Sequence, residues 1–248
     1  MNKQKLLGLL RKTCDERGMI KDGDRIAVGL SGGKDSLALV TLLRLFQNFS
    51  PKRFELAAFT VDLGFKGGDF IPLIEYCKQI DVELNIIPSN IAEVVFEIRK
   101  EKNPCSLCSN LRRGILNSHI AERGFNKLAL GHHADDLIET FLLSLFYEGR
   151  LSTFQPISYM SRADITLIRP LICIWEKDLA NFSKDLPIMK NPCCVNGRTE
   201  REHMKNIIKE LSEKHIATSK ESMFTALIHP ERNNLWEVLE ISIDRIKE

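Results

Sequence analysis

The sequence predicts an α/β protein with a doubly wound, mainly parallel sheet and helices on both of its faces. Three observations support this fold class. Short apolar runs rich in β-branched residues alternate with longer amphipathic segments. The first apolar run passes through a glycine turn directly into a segment of helical periodicity, at residues 25–43. A second polar group, at residues 131–136, follows a later apolar run, as expected where the ends of parallel strands share one edge.

The elements follow from this alternation. An amphipathic helix is predicted over residues 3–20, with an anion loop between the first strand and the helix after it. Strands are predicted at 25–30, 54–63, 82–87, 127–130, 157–159 and 166–168. Further helices are predicted at 70–80, 91–100, 111–123, 135–147, 176–184, 199–214 and 220–227, with a loop at 187–197. We divide the chain into an N-terminal helical segment (1–24), a main domain (25–190) and a helical C-terminal extension (191–248).

The composition is that of an ordinary globular protein. The chain has 248 residues, 44% of them hydrophobic, which is enough for a sizeable core. A formal net charge of +2 neither requires nor excludes nucleic acid. No segment reaches the roughly 20 apolar residues that cross a membrane, and no signal-peptide pattern is present. Seven cysteines suit metal or redox chemistry in a reducing compartment, so we expect a cytoplasmic protein without a membrane partner.

The turn after the first strand has the composition of an anion-binding loop. It reads Ser31-Gly32-Gly33-Lys34-Asp35-Ser36. A helix N-terminus presents unpaired N–H groups, glycines let the backbone approach an anion, and the hydroxyl and ammonium groups add donors. The loop is not a Walker A motif, because only three residues separate Gly29 from Gly33 and Asp35 stands in the Ser/Thr place. The sequence therefore predicts a phosphate site of another type.

The second polar group is Gly131-His132-His133-Ala134-Asp135-Asp136, after the predicted fourth strand. Adjacent carboxylates are hard ligands suited to Mg²⁺, whose shell substrate phosphates usually complete. The structural alternative places Asp135 as a helix N-cap, Asp136 in the first turn and His132 in the core. In either case we expect this group at the same sheet edge as Ser31–Ser36.

A third group, Cys105-Ser106-Leu107-Cys108, follows Pro104. Such a pair can be a zinc half-site, a redox dithiol or part of an iron–sulfur site, and thiols without metal are a further alternative. Cys193 and Cys194 form the other cluster, and we expect one of them to reach the same ion. Three thiolates on a cubane would leave one iron open, whereas zinc is normally closed by four ligands. Arg112 and Arg113 could offset the charge of a cluster or hold RNA phosphate, and the alternative, favoured for each residue taken singly, is an ordinary solvated helix face.

Together these motifs resemble a known family. SGGKDS at 31–36 is similar to the motif of the PP-loop ATP pyrophosphatases. With PCSLCSNLRRGIL at 104–116, GHHADD at 131–136 and a later Pro192-Cys193, the chain resembles tRNA-cytidine 2-sulfurtransferases of the TtcA type over about residues 25–200. The resemblance implies an enzyme that adenylates the C2 oxygen of a tRNA pyrimidine, most often cytidine. Sulfur delivered with the help of a [4Fe-4S] cluster would then replace that oxygen.

The resemblance also implies roles for individual residues, a second copy of the chain in a homodimer, and a cysteine desulfurase or sulfide as sulfur donor. Residues that would bind ATP are Ser31, Gly32, Gly33, Lys34, Asp35, Ser36, Asp62, Gly131, His132 and Asp136. Residues that would take part in catalysis are Lys34, Asp35, Cys105 and Cys193. The implied metal ligands are Cys105, Cys108 and Cys193 for the cluster, with Cys194 as a substitute, and Asp135 and Asp136 for Mg²⁺.

Other classes stay open at this stage. Enzymes that thiolate uridine in the T loop are similar but carry paired zinc motifs at both ends, and lysidine synthetases share SGGKDS but lack the CxxC. A PP-loop sulfur transferase or ligase for a small molecule would respond to a metabolite and not to tRNA. A non-catalytic ATP- or metal-binding module would bind ATP without releasing pyrophosphate.

Overall fold

A computed structural model describes residues 2–65, 68–100, 104–189 and 200–235 of the chain, and it confirms the predicted fold class. Six strands form one sheet: β1 Arg25–Gly29, β2 Glu55–Asp62, β3 Glu83–Pro88, β4 Lys127–Ala129, β5 Ile157–Met160 and β6 Ile165–Ile168. Their order is β3-β2-β1-β4-β6-β5. Every pair is parallel except β5 with β6, which closes one edge of the sheet as an antiparallel hairpin.

Eight α-helices accompany the sheet within the described residues. They are α1 Lys3–Glu16, α2 Lys34–Gln47, α3 Ile71–Gln79, α4 Pro104–Glu122, α5 Ala134–Glu148, α6 Glu176–Phe182, α7 Glu200–Glu210 and α8 Ser219–Ile228. Two π-helical turns, at Glu93–Ile98 and Leu211–His215, and two 3₁₀ turns, at Ser183–Asp185 and Pro230–Arg232, complete the list.

Both faces of the sheet are buried, which explains the continuous apolar runs of its strands. Successive strand side chains point to opposite faces. Ile26 and Val28 of β1 therefore belong to the core that also contains α1 and α2, whereas Ala27 belongs to the core beneath α4. A third, smaller cluster joins α5 to α7, through Ile138, Leu142, Met204 and Ile208.

The strand order places the functional loops together. β1, β2, β4 and β6 run in the same direction, so their carboxyl ends share one edge of the sheet. The loops that leave this edge begin at Leu30, Leu63, Leu130 and Arg169. This is the edge where open parallel sheets bind their ligands.

Three predicted helices differ from those observed. The first ends at Glu16, because Gly18 takes a φ of +60° and closes the helix. The segment predicted as a helix at 91–100 contains a π-helical turn at Glu93–Ile98. The helix predicted to begin at 111 begins at Pro104, where proline fits a first helical turn. The predicted loop at 187–197 lies mostly outside the described residues, and the segment boundaries at 24 and 190 stay predictions.

No helix among the described residues combines the length and apolarity needed to cross a membrane.

Candidate ATP and thiolation site

The loop after β1 is a tight turn that only glycine fits. Gly32 has a φ of +79°, a conformation that side chains rarely adopt. A Cβ at this position would lie 2.8 Å from the Met189 sulfur, and the Met189 N–H donates to the Gly32 carbonyl at 2.9 Å. The segment before residue 190 therefore packs directly on the anion loop.

The loop's hydroxyl groups hold its shape. Ser36 Oγ donates to the Gly33 carbonyl at 2.9 Å and accepts from the Ser31 N–H at 3.2 Å. Gly33 is the N-cap of α2 and has no side-chain capping bond. The N–H groups of the first turn of α2 are thus left for an external acceptor, which is the arrangement that binds phosphate.

Lys34 is held between two carboxylates. Its Nζ lies 3.0 Å from Asp35 Oδ2 and 2.9 Å from Glu176 Oε1. Burial opposes the charge of Lys34, but the hydrogen bond to Glu176 and the charge of Asp35 outweigh it and raise the pKa of the ammonium. Burial also opposes the charge of Glu176, yet its bond to Lys34 and the charges of Lys34 and Lys205 lower its pKa to about 2. Sequence reasoning missed Glu176, whose only signal was an acidic residue opening the predicted helix at 176–184.

The GHHADD loop lies beside the anion loop, as predicted. An added Cβ at Gly131 would lie 3.0 Å from the Asp35 carbonyl, so a larger residue would displace the start of α2. The expected structural alternative was wrong about the N-cap, which is His133 and not Asp135. His133 Nδ1 accepts from the Asp136 N–H at 3.3 Å, and Asp136 Oδ2 accepts from the His133 N–H at 3.0 Å. This reciprocal pair is a capping box.

Asp135 is 5% exposed and connects α5 to two other helices. Its Oδ2 accepts from the Glu176 N–H at 2.7 Å, and its Oδ1 forms an ion pair with Lys220 of α8. Asp136 Oδ1 lies 3.5 Å from Arg201 of α7. The two aspartates therefore lie where they were expected, but both already have protein partners.

One oxygen of Asp35 has no hydrogen-bond partner among the described residues. This Oδ1 atom is buried and lies 3.9 Å from His133 Nε2. The same nitrogen lies 3.5 Å from Asp136 Oδ2. Among the described residues, no three acidic, histidine or cysteine side chains form a preformed metal cage. A Mg²⁺ ion here would need phosphate oxygens, which is how this ion is usually held.

The carboxylates of α5 and α6 face cations of α7, and sequence reasoning did not single out this arrangement. Arg201 donates to Glu139 Oε2 and to Thr140 Oγ1, each at 3.0 Å. Lys205 lies 3.8 Å from Glu139 and 3.3 Å from Glu176. Burial nevertheless raises the pKa of Glu139 to about 7.

Asp62 and His132 have different surroundings. Asp62, at the end of β2, accepts from the Gly64 N–H at 2.9 Å, and no hydrogen bond or ion pair among the described residues joins it to Ser31–Ser36. His132 packs against Phe154, with ring centroids 5.0 Å apart, and its buried Nδ1 has no hydrogen-bond partner in the described part of the chain. Burial is the main cause that lowers the pKa of His132, to about 4.

The two cysteines of the CxxC lie in the first turns of α4. Residues three apart share one face of a helix, so both thiols lie on the same side. Cys105 is exposed and Cys108 is half-buried. Arg112 and Arg113, further along the same helix, are exposed. Cys193 and Cys194 lie outside the described residues.

A glycine loop at a helix N-terminus, joined by a second acidic loop at the carboxyl edge of a parallel sheet, defines a nucleotide-binding protein of the PP-loop class. The family model described as a PP-loop domain matches residues 3–211. Curated tRNA-cytidine(32) 2-sulfurtransferases from Pseudomonas paraeruginosa and Stutzerimonas stutzeri are each 38% identical to the chain, covering 98% of it and 93% of each relative. The chain belongs to the PP-loop family that includes these sulfurtransferases, and the prediction that the protein is an enzyme is confirmed.

Solved structures also resemble this chain. The U34-tRNA thiolase NcsA from Methanococcus maripaludis, solved with its [4Fe-4S] cluster, has a TM-score of 0.74 and 28% identity, covering 93% of this chain and 79% of that one. An NH3-dependent NAD synthetase from Campylobacter jejuni, at 16% identity and a TM-score of 0.52, shares the fold. The predicted cofactor classes, ATP and an iron–sulfur cluster, agree with the PP-loop family model and with the thiolase's cluster.

Proposed function

We propose that this chain is an ATP-dependent tRNA 2-thiolation enzyme whose target is a cytidine, at position 32. The observation that carries the proposal is the open N-terminus of α2, with Lys34 beside it and the CxxC on α4. The names of relatives that cover nearly the whole chain support the substrate and the position.

The first step in this proposal is activation of the C2 oxygen by ATP. A carbonyl oxygen leaves poorly, whereas the same oxygen bonded to the α-phosphorus leaves as part of AMP. The backbone of Ser31–Ser36 would bind the departing pyrophosphate, and Lys34 would neutralise the charge that grows on it. The glycine backbone and the uncapped helix end support this role.

The carboxylates Asp35, Asp135 and Asp136 would hold Mg²⁺. The Asp35 Oδ1 atom is buried and has no hydrogen bond within the described residues. A buried oxygen of this kind calls for a partner, and a bound cation would be one. The ion would screen the phosphate charge and act as a Lewis acid when it is bound. Asp135 pairs with Lys220 and Asp136 lies near Arg201, so a bound Mg²⁺ would share these carboxylates with both cations.

Cys105 and Cys108 would be two ligands of a [4Fe-4S] cluster, and Cys193 would be the third, with Cys194 as the substitute. Two thiols on one face of α4 fit a cluster, and no further acidic, histidine or cysteine side chain completes a site around them in the described ranges. Three protein ligands would leave one iron of a cubane open, and the chemistry that such a cluster would supply is the binding of the sulfur. Met189, which contacts the anion loop, precedes Cys193 by four positions, and this supports a third ligand near the ATP site.

The test starts from protein purified without oxygen. Iron and acid-labile sulfide are measured first, and about four of each per chain are expected. The protein is then incubated with ATP, Mg²⁺, sulfide and a tRNA transcript, and both pyrophosphate and 2-thiocytidine are measured. We expect both products, and we expect 2-thiocytidine to be absent from a transcript that carries uridine at position 32.

Two variants and two matched controls test the assigned residues. Lys34→Ala should abolish pyrophosphate release, whereas Cys105→Ala should release pyrophosphate without forming 2-thiocytidine. Lys177→Ala, at an exposed lysine of α6, and Ser106→Ala, within the CxxC, should behave as the wild type. Full thiolation by either test variant would contradict the proposal. Pyrophosphate release that a metabolite stimulates and tRNA does not would favour a small-molecule enzyme, and ATP binding without turnover would favour a binding module.

A further inference from the structure

An arginine, an aromatic ring and a histidine form a stack at the carboxyl edge of the sheet. Arg169 follows β6, and its guanidinium carbon lies 4.7 Å from the centre of the Phe154 ring. The His132 ring lies 5.0 Å from the same ring, and His132 follows β4. We call Arg169, Phe154 and His132 the edge stack. The neighbouring parallel strands β4 and β6, together with the 151–156 segment, thus bring these three side chains together.

The arginine of the edge stack is buried without an acidic partner. Arg169 is 7% exposed, and within the described ranges no carboxylate forms an ion pair with it. One of its Nη atoms donates to the Gln155 carbonyl, whereas its Nε is buried and makes no hydrogen bond. Buried charges are almost always paired, because removing an ion from water without compensation is unfavourable. Arg169 is therefore a donor that the described part of the chain leaves partly unsatisfied.

Nearby charge increases this imbalance. Burial and the charge of Arg113 lower the pKa of Arg169 to about 10, so the side chain remains a cation at neutral pH. His132 adds a second buried nitrogen, Nδ1, for which residues 2–65, 68–100, 104–189 and 200–235 supply no hydrogen-bond partner. A ligand that satisfies both groups has to offer hydrogen-bonding atoms, and a flat group is the shape that best fits beside the aromatic rings.

The position of the edge stack limits what that ligand is. Gly131, next to His132, lies close to the start of α2, where ATP is proposed to bind, since an added Cβ there would be 3.0 Å from the Asp35 carbonyl. Arg113, whose charge acts on Arg169, lies about one and a half turns along α4 from Cys108. The edge stack therefore has neighbours both at the proposed site of oxygen activation and on the helix that carries the proposed source of sulfur. The group that has to reach both is the reacting base.

We propose that the edge stack binds the target pyrimidine, with the Arg169 guanidinium donating to the base's C2 carbonyl oxygen or ring nitrogen and the Phe154 and His132 rings packing beside it. This inference rests on the proposed function and assigns its base-binding pocket. A base that enters this pocket has to leave its stack in the RNA loop, which is how proteins read single-stranded bases. The pocket places the oxygen for activation and excludes water from it.

The chain offers a matched control for Arg169. Arg25 also lies over an aromatic ring, 4.8 Å from the centre of Phe125, and also donates to a backbone carbonyl, that of Arg123. It differs in lying at the start of β1, at the opposite edge of the sheet, and in pairing with Glu55 at 2.6 Å. Arg25→Gln therefore removes the same kinds of contact far from the proposed site.

The first experiment measures tRNA-dependent pyrophosphate release and ATP affinity for both glutamine variants. Arg169→Gln should keep the ATP dissociation constant within about twofold and lower kcat/KM for tRNA by about 10- to 150-fold, the range for loss of a charged hydrogen bond. Arg25→Gln should change neither value. Arg169→Lys keeps the charge without the planar fork, and it should show an intermediate loss and serve if the glutamine variant does not fold.

The second experiment tests contact with the base itself, using tRNA that lacks only the target base. If Arg169 contacts the base, removing the base weakens binding to the wild type more than it weakens binding to Arg169→Gln, which keeps only the ring contacts. Equal losses for the variant with intact and abasic tRNA would mean a phosphate contact and would overturn the assignment. Equal kcat/KM values for Arg169→Gln and Arg25→Gln, measured while the wild type is active, would also overturn the assignment. A wild type without tRNA-dependent activity would instead overturn the proposed function, and the base pocket with it.

Discussion

Replacing Glu176 tests whether the ion pair that holds Lys34 stabilises the proposed ATP site. A glutamate pKa of about 2 instead of the ordinary 4.5 corresponds to at most about 3 kcal/mol of stabilisation. Solvent reaches 29% of the Glu176 side chain and 30% of Lys34, so screening reduces the expected value to about 1–2 kcal/mol. We therefore expect Glu176→Gln to lower the free energy of unfolding at pH 7 by about 1–2 kcal/mol.

The stability difference between the wild type and Glu176→Gln should depend on pH in one direction. A carboxyl whose pKa is lowered by folding contributes fully above its ordinary pKa, and the contribution is lost as the pH falls through the folded value. The difference between wild type and Glu176→Gln should thus be largest at pH 7 and shrink from about pH 4.5 toward pH 2. Urea unfolding at pH 7, 5, 4 and 3 measures it.

Glu213→Gln is the matched control, because Glu213 is exposed and forms no ion pair among the described residues. Its stability should equal that of the wild type at each pH. A Glu176→Gln deficit that stays constant from pH 7 to pH 3 would refute the ion-pair explanation, since a packing defect has no reason to follow the protonation of Glu176.

Two further predictions concern the same site. Gly32→Ala should lower the free energy of unfolding by about 1–2 kcal/mol and abolish ATP binding. The reason is that alanine is strained at a φ of +79° and that its Cβ would collide with Met189. Urea unfolding and nucleotide titration measure the two effects, and a normal ATP affinity would contradict the prediction. Arg201→Met should lower stability by about 1–2 kcal/mol at pH 8 and by less at pH 6, because Glu139, with a pKa of about 7, is mostly ionised only at the higher pH. A larger loss at pH 6 would contradict that reasoning.

The sequence could predict the sheet and the two motif loops because both are local. β-branched apolar runs and the glycine turn at Gly32 depend on neighbouring residues, and the carboxyl-edge rule then places Gly131 beside the start of α2. The start of α4 was missed because Pro104 is equally typical of a turn and of a first helical position. The structural alternative placed Asp135 at the N-cap of α5 on residue preference, whereas the imidazole of His133 makes the capping bond.

Contacts between distant residues could not be predicted. Glu176 meets Lys34 across 142 positions, and Arg201 meets Glu139 across 62. Neither pair leaves a periodic signal, because each residue alone is an ordinary charge on an amphipathic helix. The edge stack was missed for the same reason. Arg169 and Phe154 stand out only once the structure shows that the arginine is buried against the ring and forms no ion pair with a carboxylate of the described residues.

The long-range pairs would allow a strongly acidic site to accept the proposed triphosphate. The carboxylates around the anion loop are Asp35, Asp135, Asp136, Glu139 and Glu176. The cations that face them are Lys34, Arg201, Lys205 and Lys220. Alone, the carboxylates would repel ATP, because like charges in a partly desolvated site repel strongly. Glu139 is only partly ionised near pH 7, so the nine groups come close to balance. Three of the four cations come from α7 and α8, which gives these helices an electrostatic role at the site besides their packing on α5.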